Sequence, residues 1–366
     1  MTSAERNCWP DCRYLELVGI DIPIVQAPMA GANLSDLAIA VSQAGGLGSL
    51  PCGMLSVDKV RSEFATIRQQ TARPVNANFF CHGMPTPVAA DLAHWREILA
   101  PYYAEYGIRP GGFTDGASRL PFDAIMYELA LELKPRVVSF HYGLPDDRLV
   151  DGLKKAGCVI QSTATTVAEA RWLEDNGADA IVAQGLEAGG HRGMFLDDDI
   201  TTQMGTLALV PQIVDAVRVP VVASGGIADA RGIAAVLALG ASAVQIGTGY
   251  LLCPESTIST VYRQALRDAA ERGTVLTNVM SGRPARGIYN RLIRDIGPIG
   301  ASVPAFPLAS GALQPLRENA ELRGSDDFSP LWAGQAAALC QPMDAAEVTK
   351  ALATDTLRLL HRLAGR

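Results

Sequence analysis

Short apolar runs recur along the chain, each followed by a glycine-rich or polar loop and then by a segment of helical periodicity. Eight such runs are present: Ile22 to Met29, Leu47 to Pro51, Pro74 to Phe80, Val137 to Tyr142, Cys158 to Ala164, Ala180 to Gly185, Pro220 to Ser224 and Ala243 to Gly247. Most are rich in Val, Ile and Ala and show no alternation with polar residues, which predicts strands buried on both faces of a parallel sheet. Between them, Leu34, Leu37, Ala38 and Val41 recur at i, i+3, i+4 and i+7, and Ile233, Ala234 and Leu237 repeat the pattern. Such stripes bury one helix face against a sheet. Thr166 with Glu169 three residues on forms a capping box, and Gly177 supplies the stop of the same helix. Eight alternations of strand and helix predict an α/β fold closed as a (β/α)₈ TIM barrel, although a doubly wound open sheet shares the local rhythm.

Two segments break that rhythm. Residues 82–136 place a helical stretch and the loop PGGFTDG between the third and fourth strands. From about residue 275 a tail rich in Pro, Gly and Ser leads to a helix near 344–364. The expected division is a barrel over 1–275, carrying the insertion after strand three, and a C-terminal lid or subdomain over 276–366.

Composition narrows the partner classes. With 366 residues, 48% of them hydrophobic and 19% charged, the chain can bury a sizeable core. A formal net charge of -7 argues against a broad nucleic-acid or anionic-membrane footprint and favours small molecules. Seven scattered cysteines suit reduced thiols, and the pair Cys8 and Cys12 has no second pair nearby to complete a zinc site, so no metal is expected. The first residues carry acids and no apolar centre, and the uncharged stretch from Ile233 to Pro254 is interrupted by Gly240, Gly247 and Gly249. Neither a signal peptide nor a membrane span is expected, and the default expectation is a cytoplasmic monomer or homodimer.

Candidate chemistry concentrates at the strand ends. Ser224-Gly225-Gly226 follows the seventh strand, and Gln245-Ile246-Gly247-Thr248-Gly249 ends the eighth. In barrels of this kind a ligand phosphate sits between these two loops, where glycine lets backbone N–H groups approach and a threonine hydroxyl can donate. Tight turns alone would also use glycine, but paired glycine loops at consecutive strands point to a phosphate. The first strand ends in Gln26-Ala27-Pro28-Met29-Ala30-Gly31, small residues suited to hold backbone against a flat ring, or simply a strand terminus and turn. Asn78 ends the third strand, where a buried amide usually binds something specific, and Asn76 competes for that role.

The richest loop is Gln184-Gly185-Leu186-Glu187-Ala188-Gly189-Gly190-His191-Arg192-Gly193. Four glycines in ten residues bring His191 close to a ligand, and an imidazole with a pKa near 6.5 is a natural general base. The bland alternative is a histidine that caps the loop. Glu187 and Arg192 read equally well as a loop ion pair. His141, at the end of the fourth strand, would bind substrate oxygens or fill a polar gap, whereas His94 and His361 read as helix-surface residues. No Ser-His-Asp arrangement, H-E-x-x-H helix or Walker loop is present.

Across nearly its full length the chain resembles the nitronate monooxygenase family, formerly called 2-nitropropane dioxygenases. The resemblance rests on QAPMAG, AVSQAGGLGSL, NFFCH, SFHYGLP, QSTATTVAEA, QGLEAGGHRG, PVVASGGIADARG, QIGTGYLLCPES, TNVMSGRPARG and LWAGQAA, in that order. It implies FMN as cofactor and oxidation of alkyl nitronates by O₂ to carbonyl compounds and nitrite. It also implies that Asn78, Gln184, Gly189, Gly226 and the run from Gln245 through Ile246 and Gly247 to Thr248 bind FMN, with Ala27, Pro28, Met29, Gly190 and Gly225 beside them. His191 matches the family's active-site histidine, which deprotonates a nitroalkane or orients a nitronate; protonated, and helped by His141, it could stabilise negative charge. SFHYGLP and SGRPARG look most like the branch acting on propionate 3-nitronate and small alkyl nitronates. The rival readings are an FMN- and NAD(P)H-dependent enoyl-thioester reductase on the same barrel and, from another class, a flavin-binding sensor or scaffold without catalysis.

Overall fold

A computed structural model describes residues 9–109 and 119–365; Cys8 and the loop PGGFTDG lie outside the described residues. Eight parallel strands, β1 (Ile24–Gln26), β2 (Gly48–Pro51), β3 (Val75–Phe80), β4 (Val137–His141), β5 (Val159–Ala164), β6 (Ala180–Gln184), β8 (Val221–Ser224) and β9 (Ala243–Ile246), coincide with the eight apolar runs. They lie in the order β1-β9-β8-β6-β5-β4-β3-β2, and a parallel bridge between Val25 and Leu47 joins the two ends. The sheet is therefore a (β/α)₈ barrel rather than an open doubly wound sheet. Burial on both faces follows from the layout: side chains of one parity fill the barrel and those of the other meet the helices.

The helices form as their caps dictate. Thr166 accepts from the Glu169 amide, and Asp229 accepts from the amides of Arg231 and Gly232, each satisfying N–H groups that a helix start leaves free. Glu169 reaches back to the amide and hydroxyl of Thr165, at 2.6 and 2.7 Å, and its other oxygen takes the amide of Phe195 at 2.6 Å. That one buried carboxylate ties a helix start to the loop that follows His191.

Where the chain departs from strand-helix alternation, the added pieces meet each other. The helix Ala89–Tyr106, inserted after β3, packs against the helix Ala309–Leu322 of the C-terminal region. Trp95, Leu99 and Tyr103 form one buried cluster with Val279, Leu292, Leu313, Leu316 and Phe328. Burying each such side chain contributes about 1.5–3 kcal/mol, so insertion and tail hold one another over the barrel mouth. A second small sheet, β10 (Thr274–Thr277), β11 (Ala285–Ile288) and the two-residue β7 (Gly190–His191), is antiparallel and ties the tail to the histidine loop. The final helix, Ala345–Leu363, packs on the barrel's outer ring between Ala230–Ala238, which follows the seventh barrel strand, and Ser35–Gln43, which follows the first. No helix among the described residues is long and apolar enough to cross a membrane, and no cluster there could hold a metal ion.

Candidate active site

The C-terminal ends of the strands surround a cavity of about 380 Å³. Ala27, Pro28, Met29, Asn78, His141, Gln184, Gly189, Gly190, His191, Gly225, Gly226, Gln245, Gly247 and Thr248 all line it. Of the expected site residues only Ile246 does not: its side chain is buried in the main core and its carbonyl accepts from the Ala27 amide at 2.8 Å. Alternation explains this, since Gln245 and Gly247 face the cavity and the residue between them faces the helices.

Register sorts the barrel side chains into tiers. Asn78 pairs with Ser139 and Ser139 with Gln161 across three neighbouring strands, and all three line the cavity. The Asn78 amide nitrogen donates to Ser139 Oγ at 2.9 Å, which leaves its carbonyl oxygen as the remaining polar atom. Tyr14, rising from the helix Arg13–Val18, donates its hydroxyl to Gln161 Oε1 at 2.7 Å. Gln161 Nε2 is then a buried donor with no partner among the described residues. Asn76 lies deeper, donates to Ser49 Oγ at 3.0 Å and does not reach the cavity, so of the two Asn78 is the one in the cavity wall. At the mouth, His141 contacts Thr163 Oγ1 and the His191 carbonyl, each at 3.2 Å.

The glycine loops have the conformations expected of a cradle. Gly225 has φ +118° and Gly226 φ +69°, both in the region that favours glycine. Thr248 Oγ accepts from the Gly334 amide at 3.0 Å, which leaves its proton free to donate elsewhere. Among the described residues no Asp or Glu lines the cavity, although the chain as a whole is acidic. Backbone donors, a threonine hydroxyl, a buried unpartnered amide donor and the absence of lining carboxylates fit a mononucleotide with its phosphate on the loops and its ring over the barrel.

His191 sits where the tail clamps its loop, paired with Ala285 of β11. Its Nε2 is 2.8 Å from Ser281 Oγ, and Ser281 in turn donates to the Arg283 carbonyl at 3.3 Å. The tautomer decides the roles: Nε2 either donates to Ser281 Oγ or accepts from it, and in the second case the neutral ring keeps Nδ1–H to donate. Phe306 and Trp332 flank the ring at centroid distances of 5.2 and 5.1 Å. Gln184 fixes the same loop: its Nε2 donates to the His191 carbonyl at 3.0 Å and its Oε1 accepts from the Gly193 amide at 2.8 Å.

Burial, then the charges of Arg119, His141, Arg283 and His82, hold the His191 pKa well below the usual histidine value. Burial likewise lowers His141 to about 3 and His82 to about 4, with Arg283 adding to both. These directions favour neutral imidazoles at pH 7, because a covered site among arginines disfavours another positive charge. Arg192 and Glu187 do not pair. The Arg192 guanidinium donates to the carbonyls of Gly185 and Gln184, both at 2.7 Å, while Glu187 accepts from the amide and hydroxyl of Thr206. Each has nearer polar groups whose burial would otherwise be costly. His94 and His361 are exposed, as their helix positions imply. Ser281, Phe306 and Arg119 were not singled out by sequence reasoning; SGRPARG contained Ser281, but only the fold brings it to the histidine.

The family model described as nitronate monooxygenase matches residues 12–355. The chain is similar to a protein named nitronate monooxygenase from Pseudomonas aeruginosa, 43% identical over 93% of this chain and 97% of that one. Among solved structures it is similar to a nitroalkane oxidase from Streptomyces ansochromogenes, with 38% identity, a TM-score of 0.85 and coverage of 96% and 99% of the two chains. FabK from Thermotoga maritima shares the fold at 27% identity and a TM-score of 0.70, over 96% of this chain and 98% of that one.

Proposed function

This chain belongs to the nitronate monooxygenase family, and from that premise we propose that it binds FMN and oxidises alkyl nitronates with O₂ to carbonyl compounds and nitrite. The observation that carries the reading is a cavity with no carboxylate among its described lining residues, with glycine loops at one end and a half-buried, neutral His191 lining it. Backbone N–H groups of Gly225, Gly226, Gly247 and Thr248 would hold the phosphate. Ala27 to Met29, Asn78, Gln184, Gly189 and Gly190 would surround the ring, with the Asn78 carbonyl oxygen accepting from it. FMN bound there supplies the electron acceptor for the substrate carbon and passes electrons on to O₂.

The protein's own contribution is to exclude water and position an anion. A nitronate is already deprotonated, so it needs a hydrogen-bond donor rather than a strong base. With Ser281 donating to its Nε2, neutral His191 has an Nδ1–H to offer the anion, and His141 stands in the adjacent position at the mouth. An imidazole held well below its usual pKa has little driving force to take a proton from a neutral nitroalkane carbon. Nitronates, including propionate 3-nitronate and small alkyl nitronates, are therefore the favoured substrates over nitroalkanes.

The test is reconstitution with FMN followed by anaerobic mixing, in separate runs, with a nitronate and with NADH. Bleaching by the nitronate and not by NADH is expected, with O₂ uptake and nitrite release on admitting air. Bleaching by NADH with reduction of an enoyl thioester would replace this reading by the reductase, and a protein that takes up no FMN would end both. Retained yellow FMN with no O₂ uptake would instead indicate a sensor.

A further inference from the structure

Arg119 differs from other arginines that the fold buries or half-buries. Arg192 donates to two carbonyls and the Gln203 side chain, and Arg263 to three carbonyls, so their N–H groups are largely used. The Arg119 guanidinium lines the cavity and makes one hydrogen bond among the described residues, from Nη1 to Ser310 Oγ at 3.2 Å. No described Asp or Glu pairs with it, whereas Arg317, the other arginine of the cavity wall, is 2.8 Å from Glu321. A guanidinium with five donors and one neutral acceptor, in a wall whose described residues include no carboxylate, is a site for an anionic group.

Its place relative to the reacting end specifies which group. The guanidinium lies 5.8 Å from the Phe306 ring centre, and the His191 imidazole lies 5.2 Å from the same ring. Arg119 and His191 thus both adjoin one aromatic side chain, and both line the same cavity. A short carbon chain laid over Phe306 would place one terminus at each.

Building on the function proposed above, we propose that Arg119 is a specificity-determining residue that binds a carboxylate at the substrate terminus remote from the nitronate. The preferred substrates are then short nitronates bearing a terminal carboxylate. Two negative groups enter one cavity, the nitronate beside His191 and the carboxylate in a fork-to-fork pair with Arg119. Because that pair forms before and after the reacting carbon changes, its loss appears chiefly in KM.

The experiment compares propionate 3-nitronate with propyl 1-nitronate, in which a methyl group replaces the carboxylate, in the FMN-loaded parent, Arg119→Met and Arg119→Lys. The ratio of kcat/KM for the two substrates is expected to fall about 10- to 100-fold in Arg119→Met, carried by the KM for propionate 3-nitronate. Lysine should recover part of it. FMN absorbance and Tm verify that each variant is folded and loaded. A ratio unchanged within twofold, or an equal loss on both nitronates, overturns the assignment of Arg119 while leaving nitronate oxidation standing. A loaded parent that turns over neither nitronate removes the functional reading and this inference together.

Discussion

Adding a single methyl group at Gly225 tests the phosphate cradle directly. In Gly225→Ala the new Cβ would lie 2.9 Å from Thr206 Oγ1, 3.0 Å from the Gly185 carbonyl oxygen and 3.1 Å from the Ala188 amide nitrogen. The backbone there has φ +118°, which L side chains rarely adopt, so relaxation of neighbours alone does not remove the cost. Strain of this kind amounts to about 1–3 kcal/mol. Two of the three neighbours are main-chain atoms of the loop that leads to His191, so the loop after β8 must turn away from it. If about 2 kcal/mol of that strain is relieved by moving the N–H groups off the phosphate, FMN affinity falls about 30-fold. Gly247→Ala is the internal comparison: its Cβ would meet Ala27 Cβ at 3.4 Å and Met29 Sδ at 3.6 Å, ordinary contacts, and no positive φ is involved. Titration of apoprotein with FMN, followed by flavin fluorescence, reads both constants, and Tm of the apoproteins reads the strain kept in the fold. Gly225→Ala binding FMN as tightly as the parent, with an unchanged Tm, would refute the cradle.

Further outcomes follow from the site. Ser281→Ala removes the hydroxyl partner of His191 Nε2 and is expected to lower kcat on nitronates about tenfold while FMN absorbance is retained; an unchanged kcat would show that the imidazole is held by Phe306 and Trp332 alone. His191→Asn should keep FMN and lose more of its activity on nitroethane than on its nitronate, and equal turnover of nitroethane by parent and variant would eliminate any role as base. Arg192→Met strands the carbonyls of Gln184 and Gly185 and should cost about 3 kcal/mol in urea unfolding; a loss under 1 kcal/mol would contradict the structural role. For pH, the folded pKa values of His82 and His141, about 4 and about 3, lie below the unfolded value near 6.5. The unfolded chain therefore binds protons first as pH falls through 6.5, and stability declines between there and the folded values. Each contributes a loss of roughly 2 kcal/mol by pH 5; urea midpoints that do not drop from pH 7 to pH 5 would show these imidazoles to be solvated.

Much of this molecule is determined by local pattern. The eight apolar runs become the eight barrel strands because a strand buried on both faces has no polar alternation to misplace, so its limits are set by where Gly, Pro and charge return. The glycine loops and the QGLEAGGHRG segment were legible for the same reason: positive φ and close backbone approach admit few other residues. Local pattern left Asn76 and Asn78 competing, and only depth in the folded barrel puts Asn78 in the cavity wall and Asn76 beneath it. What the sequence alone could not state are relations between distant segments. Ser281 reaches His191 across 90 residues, and the insertion and tail share a core that neither could bury alone. His191 changes character for that reason, because an imidazole's pKa depends on the arginines and dry surfaces that folding gathers around it rather than on its neighbours along the chain.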